Sequence, residues 1–215
     1  MRLIQEKRKS KLLNTISKHI KDNIKAYCIV GFILIIGIIL GVSFINNMQE
    51  NQSNEVKGYI NNFINNVKED KNIDTSLLFK KSITNNFLLV LFMWFVGSTI
   101  IGMPLVLGMV LFRGFCLGYT ISALIAVLGS QNGILFCITA ILLQNIIVIP
   151  CIMTLAVSGI KLYKSIIRDR RRENIKLEVL THTLISIIML ILLIGASFIE
   201  SYLSTNLFQI CIKNF

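Results

Sequence analysis

Charge is what this sequence of 215 residues lacks most. From Phe87 to Ile160 the only Asp, Glu, Lys, Arg or His is Arg113. Charged residues make up 15% of the chain and hydrophobic ones 54%, whereas soluble domains carry roughly 25% charged residues. No soluble fold can set so long an uncharged run against water. The runs are continuous rather than alternating, which excludes a β-barrel. What remains is an all-α class, a polytopic membrane helix bundle. Lys and Arg number 22 against 11 Asp and Glu. They flank the apolar runs, so they read as topology signals, and nucleic acid is not expected as a partner.

The chemistry-bearing residues are equally scarce. The two histidines are His19 and His182, and no His-Glu-x-x-His occurs, so the usual zinc-peptidase site is missing. No Asp or Glu is expected within a span, which removes paired carboxylates. Gly-x-Ser-x-Gly and the Walker loop are absent, and Gly97-Ser98 has no evident base. The five cysteines, Cys28, Cys116, Cys137, Cys151 and Cys211, lack metal-ligand spacing and read as small apolar residues. The expectation is no enzyme, no metal and no cofactor. Ion-coupled transporters usually hold ionisable groups at mid-membrane, so that reading is weakened too.

The apolar runs give five transmembrane helices. Ala26–Ile45 is an uncleaved first helix, long enough for roughly 30 Å of hydrocarbon. Phe87–Leu111 and Gly114–Leu128 form a hairpin if Arg113 marks a turn. The competing parse breaks the chain at Gly102-Met103-Pro104 and places Arg113 inside a helix, where an Arg costs about 2.5–3.5 kcal/mol. The hairpin avoids that cost and is the parse adopted, with Pro104 kinking the second span. Ile134–Ile160 is the fourth span, with Pro150 a place to bend, and Thr183–Ile199 the fifth, with Glu200 at its end. Eight Lys and Arg in Met1–Lys25, seven in Lys161–Leu180, and Arg113 fall on one side. Five in Asn46–Asn86 and Lys213 fall on the other. The positive-inside rule then gives N-terminus in and C-terminus out.

The chain thus divides into a basic cytoplasmic segment (1–25), the first transmembrane helix (26–45), an outward loop (46–86), a four-helix membrane region (87–203) and an outward tail (204–215). Ser10–Lys25 reads as an amphipathic helix on inner-leaflet lipid, with Leu12, Leu13, Ile16, Ile20 and Ile24 on one face. In the outward loop, Val56, Ile60, Phe63, Ile64 and Val67 recur at helical spacing. The face formed by Ile60, Phe63, Ile64 and Val67 is a candidate docking surface, or it lies on lipid or on the protein itself. Leu77-Leu78-Phe79 follows Asp74, a plausible N-cap.

Two features stand out within the spans. Gly114, Gly118, Ser122, Ala126 and Ser130 fall at four-residue intervals, and Gly37-x-x-x-Gly41 repeats the pattern in the first span. Such stripes let helix backbones approach closely, within the protein or with a partner's helix. The other feature is Gln144-Asn145 ahead of Pro150. The proline leaves the carbonyl of Ile146 without its helical donor. The two amides can satisfy freed carbonyls or bridge to a neighbouring helix.

At these segments the sequence resembles a known family. Phe112-Arg113-Gly114-Phe115-Cys116-Leu117-Gly118-Tyr119-Thr120 is similar to the basic-Gly-x-x-x-Gly-aromatic-Thr/Ser element of stage II sporulation protein M. Gln144-Asn145 with Pro150 resembles that family's Gln-Asn-then-Pro element. The layout is similar over nearly the whole chain. The resemblance implies a non-enzymatic component of the bacterial cell membrane, at the mother cell's septal and engulfing membrane. Its implied partners are stage II sporulation proteins D and P, which degrade peptidoglycan during forespore engulfment. The reading is a scaffold for those hydrolases. A small-solute transporter or channel is the alternative, and an intramembrane hydrolase comes third.

Overall fold

The structure, a computed structural model, describes residues 21–68, 75–99, 101–168 and 172–204. The described residues are helical, with no strand among them. In chain order the helices are α1 (Ile24–Asn46), α2 (Glu50–Lys68), α3 (Thr75–Gly97), α4 (Gly102–Leu128), α5 (Ser130–Phe136), α6 (Leu143–Arg168) and α7 (Arg172–Phe198). A π-helical segment, Cys137–Leu142, joins α5 to α6, and a second, Ile199–Ser204, extends α7. Residues 1–20 of the basic segment, Asp74 and the tail from residue 205 lie outside the described residues.

Among the described residues, four helices are long and apolar enough to cross a membrane: Ile24–Asn46, Gly102–Leu128, Gln144–Ile167 and Ile175–Tyr202. In lipid the backbone must satisfy itself, and a helix does so within one segment. The core is built from Val30, Val110, Val148, Ile152, Leu155, Ala156, Val157, Leu193 and Ala196, all at most 1% exposed. Outside it stands a girdle of exposed Phe32, Ile35, Phe95, Phe112, Ile188 and Ile191. Water would not tolerate that apolar surface, and acyl chains would.

Helix directions follow from the contacts. Gly37 of α1 lies against Leu111 and Gly114 of α4, and Gly41 lies against Phe115 and Tyr119. Rising numbers meet rising numbers, so α1 and α4 run parallel. Along α3 and α7, Ser82 meets Glu200, Asn86 meets Ser197, and Trp94 meets Thr183. Those two are antiparallel. Helix α6 is antiparallel to α7 as well, since Gln144 meets Glu200 and Lys161 meets Glu178.

The hairpin at Arg113 is corrected. Helix α4 is continuous through it from Gly102, and α3 ends at Gly97 instead, followed by a turn at Ser98. Local chemistry ends α3 there. The hydroxyl of Ser98 donates to the carbonyl of Trp94 at 2.8 Å, and that of Thr99 donates to the carbonyl of Val96 at 2.7 Å. Gly102 packs on the Val96 carbonyl so closely that a Cβ would overlap it. Pro104 is then the third residue of α4, in a first turn that needs no N–H from it. It opens that helix rather than kinking it. The helix α3 begins at Thr75, so Leu77-Leu78-Phe79 form its first turn and are not a separate patch. Phe79 stands edge-on to Phe198 and Tyr202, at ring-centre distances of 6.2 and 5.9 Å. At the other end of α4, Gly129 takes φ +81° to make the turn into α5, a conformation L side chains rarely adopt.

Candidate functional site

The Gly-x-x-x-Gly segments meet each other. A Cβ on Gly118 would overlap the carbonyl oxygen of Ile38 and sit 2.9 Å from its carbonyl carbon. A Cβ on Gly114 would overlap the carbonyl of Leu34, and one on Gly41 would come within 2.6 Å of the Tyr119 nitrogen. The stripe at Gly114 and Gly118 is therefore occupied by α1, with Phe44 closing it edge-on against Phe115 at 5.7 Å. Ser122 is half-buried, and Ala126 and Ser130 are exposed. The reason is the parallel register: α1 ends at Asn46, level with about residue 122 of α4. Beyond that point the stripe has no α1 to meet.

The same register sets the depth of Arg113. Its neighbour Gly114 lies beside Leu34, near the middle of α1. Arg113 is half-buried at mid-helix rather than at an interface, and its Nε has no partner within the protein.

The nearby carboxylate is Glu200. The apolar helix that carries it, Ile175–Tyr202, is longer than the expected span Thr183–Ile199 and takes in Glu178, His182 and Glu200 towards its ends. Glu200 accepts hydrogen bonds on Oε2 from the Ser82 hydroxyl and from Nε2 of Gln144, the latter at 2.6 Å. One turn further in, Asn86 Nδ2 donates to Ser197 Oγ at 2.8 Å, and Ser197 donates to the carbonyl of Leu193 at 3.0 Å. Asn145 is buried, and its Nδ2 donates to the carbonyl of Ile141 at 2.7 Å. That carbonyl belongs to the π-helical segment and not to the position freed by Pro150. The exposed Pro150 lies inside α6, and its own carbonyl accepts from the Thr154 hydroxyl at 2.8 Å.

A second polar layer crosses the bundle at its other end. Ser158 Oγ lies 2.9 Å from Nδ1 of His182, whose Nε2 faces the Trp94 carbonyl at 3.4 Å. With the proton on Nε2, the ring donates to Trp94 and accepts from Ser158. Trp94 Nε1 donates to Thr183 at 3.1 Å. Gly97 and Gly159 leave room for the imidazole, since a Cβ on Gly97 would lie 3.0 Å from Nε2. Ser158 is 4% and His182 1% exposed, so the pair pins α3, α6 and α7 together and offers no open nucleophile. Along α7 the two layers lie about 27 Å apart, close to the hydrocarbon thickness. The described residues hold no group of three or more His, Cys, Asp or Glu able to bind a metal.

Outside the spans, Ile64 is buried with Leu124, Phe136 and Cys137, and Ile60 packs on the same cluster. These two residues of the expected docking face are thus covered by the ends of α4 and α5. The side chains of Phe63 and Val67 lie outside the described residues.

The network was only half visible in sequence. Gln144, Asn145 and Arg113 stood out, whereas Ser82, Asn86, Ser158, His182 and Glu200 did not. The missed signal was polar spacing: Ser82 and Asn86, and Ser197 and Ser201, each lie four apart on one helical face.

The sequence pattern of the family described as Stage II sporulation protein M matches residues 30–205. The chain belongs to the stage II sporulation protein M family. That span runs from the first turns of α1 past the second π-helical segment, so it takes in both the glycine junction and the Glu200 network. No curated protein and no solved structure matches the chain. As a stage II sporulation protein M family member with several apolar helices, it is a sporulation-related membrane protein.

Proposed function

We propose that this chain is a non-enzymatic membrane scaffold that anchors and localises peptidoglycan hydrolases for septal thinning and forespore engulfment. The partners are stage II sporulation proteins D and P, and the site of action is the mother cell's septal and engulfing membrane. One observation supports the reading beyond the family itself. Helix α2 is latched to the bundle by Ile60 and Ile64. Its opposite face, with Glu55 and a Tyr59 that is 78% exposed, points away from that contact. A platform of that kind suits docking, and the partner-facing residues move from the apolar side of α2 to its polar side.

The scaffold works in a five-span arrangement, N-terminus in and C-terminus out, with α3 as the fifth crossing. The alternating helix directions and the basic residues of 1–25 and 161–180 support it. Cysteine labelling of intact cells is expected to find positions in 50–68 reactive from outside and positions in 161–168 reactive only after permeabilisation. Reactivity of both from one side would end the arrangement.

The purified chain is expected to release no fragments from peptidoglycan, and its deletion to displace the hydrolases from the septum and stop engulfment. Cleavage by the isolated protein, or normal hydrolase placement without it, would overturn the scaffold. The alternative, a small-solute transporter or channel, is favoured by one observation, the half-buried Arg113 and Glu200 in the bundle. Solute flux into liposomes carrying this protein alone would select it.

A further inference from the structure

Helices α3 and α7 leave an apolar groove between them. Phe87 and Trp94 of α3 stand on one side, and Thr183, Ile187 and Leu190 of α7 on the other. The buried Val90 and Ser186 lie at its floor. Phe87 and Ile187 are exposed, so the groove is open to whatever surrounds the bundle. Its volume is about 130 Å³. Pockets for drug-sized ligands hold about 300–1,000 Å³, so this one admits a single slender chain.

The polar atoms along the groove are already engaged. The Ser186 hydroxyl donates to the His182 carbonyl at 2.9 Å, and that of Thr183 donates to the Val179 carbonyl at 2.9 Å. Trp94 Nε1 donates to Thr183 Oγ1 at 3.1 Å. The groove therefore presents hydrocarbon, and a polar ligand would give up its hydration there without replacement.

The lining face of α7 continues toward the connection with α6. Thr183, Ile187 and Leu190 follow one another at three- and four-residue spacing. The same spacing runs back through Val179 and Leu180 to Lys176, all three exposed. Along the helix axis Lys176 stands about 10 Å from Thr183 and about 21 Å from Leu190. A bilayer with its headgroups is about 40–45 Å thick, so one leaflet spans about 20–22 Å. The lysine and the far end of the groove are thus as far apart as the headgroup and chain end of one lipid. Charge selects the headgroup. The 161–180 segment carries seven Lys and Arg against three Asp and Glu. Glu178, the carboxylate nearest Lys176 in sequence, is itself held by Lys161 at 2.9 Å. A partner's helix would cover the apolar walls too, but the cation at headgroup height favours a lipid.

We propose that the groove between α3 and α7 seats one acyl chain of an anionic phospholipid whose phosphate meets Lys176. In the five-span arrangement that lipid belongs to the inner leaflet. The inference goes beyond the scaffold reading and stands without it, since it needs only that α7 crosses the membrane.

Trp94 is the single tryptophan of the chain and lines the groove, so its fluorescence reports on the occupant. The test places the full chain in phosphatidylcholine nanodiscs in which a small, fixed fraction of the lipid carries bromine in the upper half of an acyl chain. Brominated phosphatidylglycerol is expected to quench Trp94 about two- to fourfold more than brominated phosphatidylcholine at the same fraction, the preference one lysine near a surface supplies. Lys176→Gln is expected to bring the two lipids to equality. Lys176→Arg is expected to keep the preference, as is Lys164→Gln, which alters an exposed lysine of α6 outside the groove. Equal quenching by the two lipids in the unaltered protein, or a preference that survives Lys176→Gln, would overturn the proposal. Quenching by neither lipid would show another helix lying over the groove and would overturn it as well.

Discussion

Gly118→Leu and Gly41→Leu are expected to prevent the protein from accumulating. Overpacking a core with extra methylenes typically costs about 1–3 kcal/mol, because neighbouring side chains find new rotamers. Here the neighbour is backbone. The first added carbon on Gly118 would overlap the Ile38 carbonyl, and that on Gly41 would overlap the Phe115 carbonyl. A carbonyl in a helix cannot rotate away without breaking its own hydrogen bond. The two helices must separate along their length and lose the Phe44–Phe115 contact with it. Even Gly118→Ala is expected to lower the unfolding temperature measurably in nanodiscs. Gly108→Leu and Gly195→Leu are the matched controls, since both positions are exposed and a Cβ at either meets nothing within 4 Å. Loss at all four positions would mean that any large residue in place of glycine disturbs these helices, and would remove the argument for close backbone approach.

Glu200→Leu is expected to destabilise the protein by about 1.5–3 kcal/mol, the usual worth of a hydrogen bond to a charged group. Ser82 and Gln144 would lose their acceptor, and the half-buried Arg113 would lose an opposite charge of the bundle. Arg113→Met alone is expected to be costly in the same way. The double variant Arg113→Met with Glu200→Leu is expected to be less destabilised than the sum of the two, by about 0.5–3 kcal/mol of coupling. Thermal unfolding of the four proteins in nanodiscs measures this. Strict additivity would show that Glu200 does not compensate Arg113, and that the arginine is stabilised by headgroups or bulk water.

That pair also explains where reading the sequence succeeds and where it fails. The all-helical membrane class follows from the missing charges, and α1 is found within two residues of its ends because a run of Ile, Leu and Val in lipid can only be helical. The glycine stripe was legible because four-residue spacing has one meaning on a helix. Arg113 was misplaced because its insertion cost was assessed for an isolated side chain. The carboxylate of the bundle, Glu200, comes 87 residues later, and local reasoning does not weigh the two together. The turn actually used lay in Ser98, Thr99 and Gly102, whose carbonyl-capturing hydroxyls and close backbone contact were overlooked in favour of a single charge. The face of α2 teaches a related lesson. Periodicity shows that Ile60 and Ile64 will be covered, but what covers them is Leu124 and Phe136, and no spacing within α2 contains that information.

The parallel junction of α1 with α4 has a consequence for how the protein is made. Two parallel helices cannot be consecutive in an alternating bundle, and here α2 and α3 are synthesised between them. When α1 leaves the translocon, its Gly37 and Gly41 therefore face lipid, with their future partner still unmade. This close contact cannot form until α4 has been made. A nascent chain arrested before Gly102 displays half of that contact to every other helix in the bilayer. A full-length chain conceals it by closing α4 onto α1. Gly37 and Gly41 are thus without their partner until α4 is made and covered once it closes onto α1.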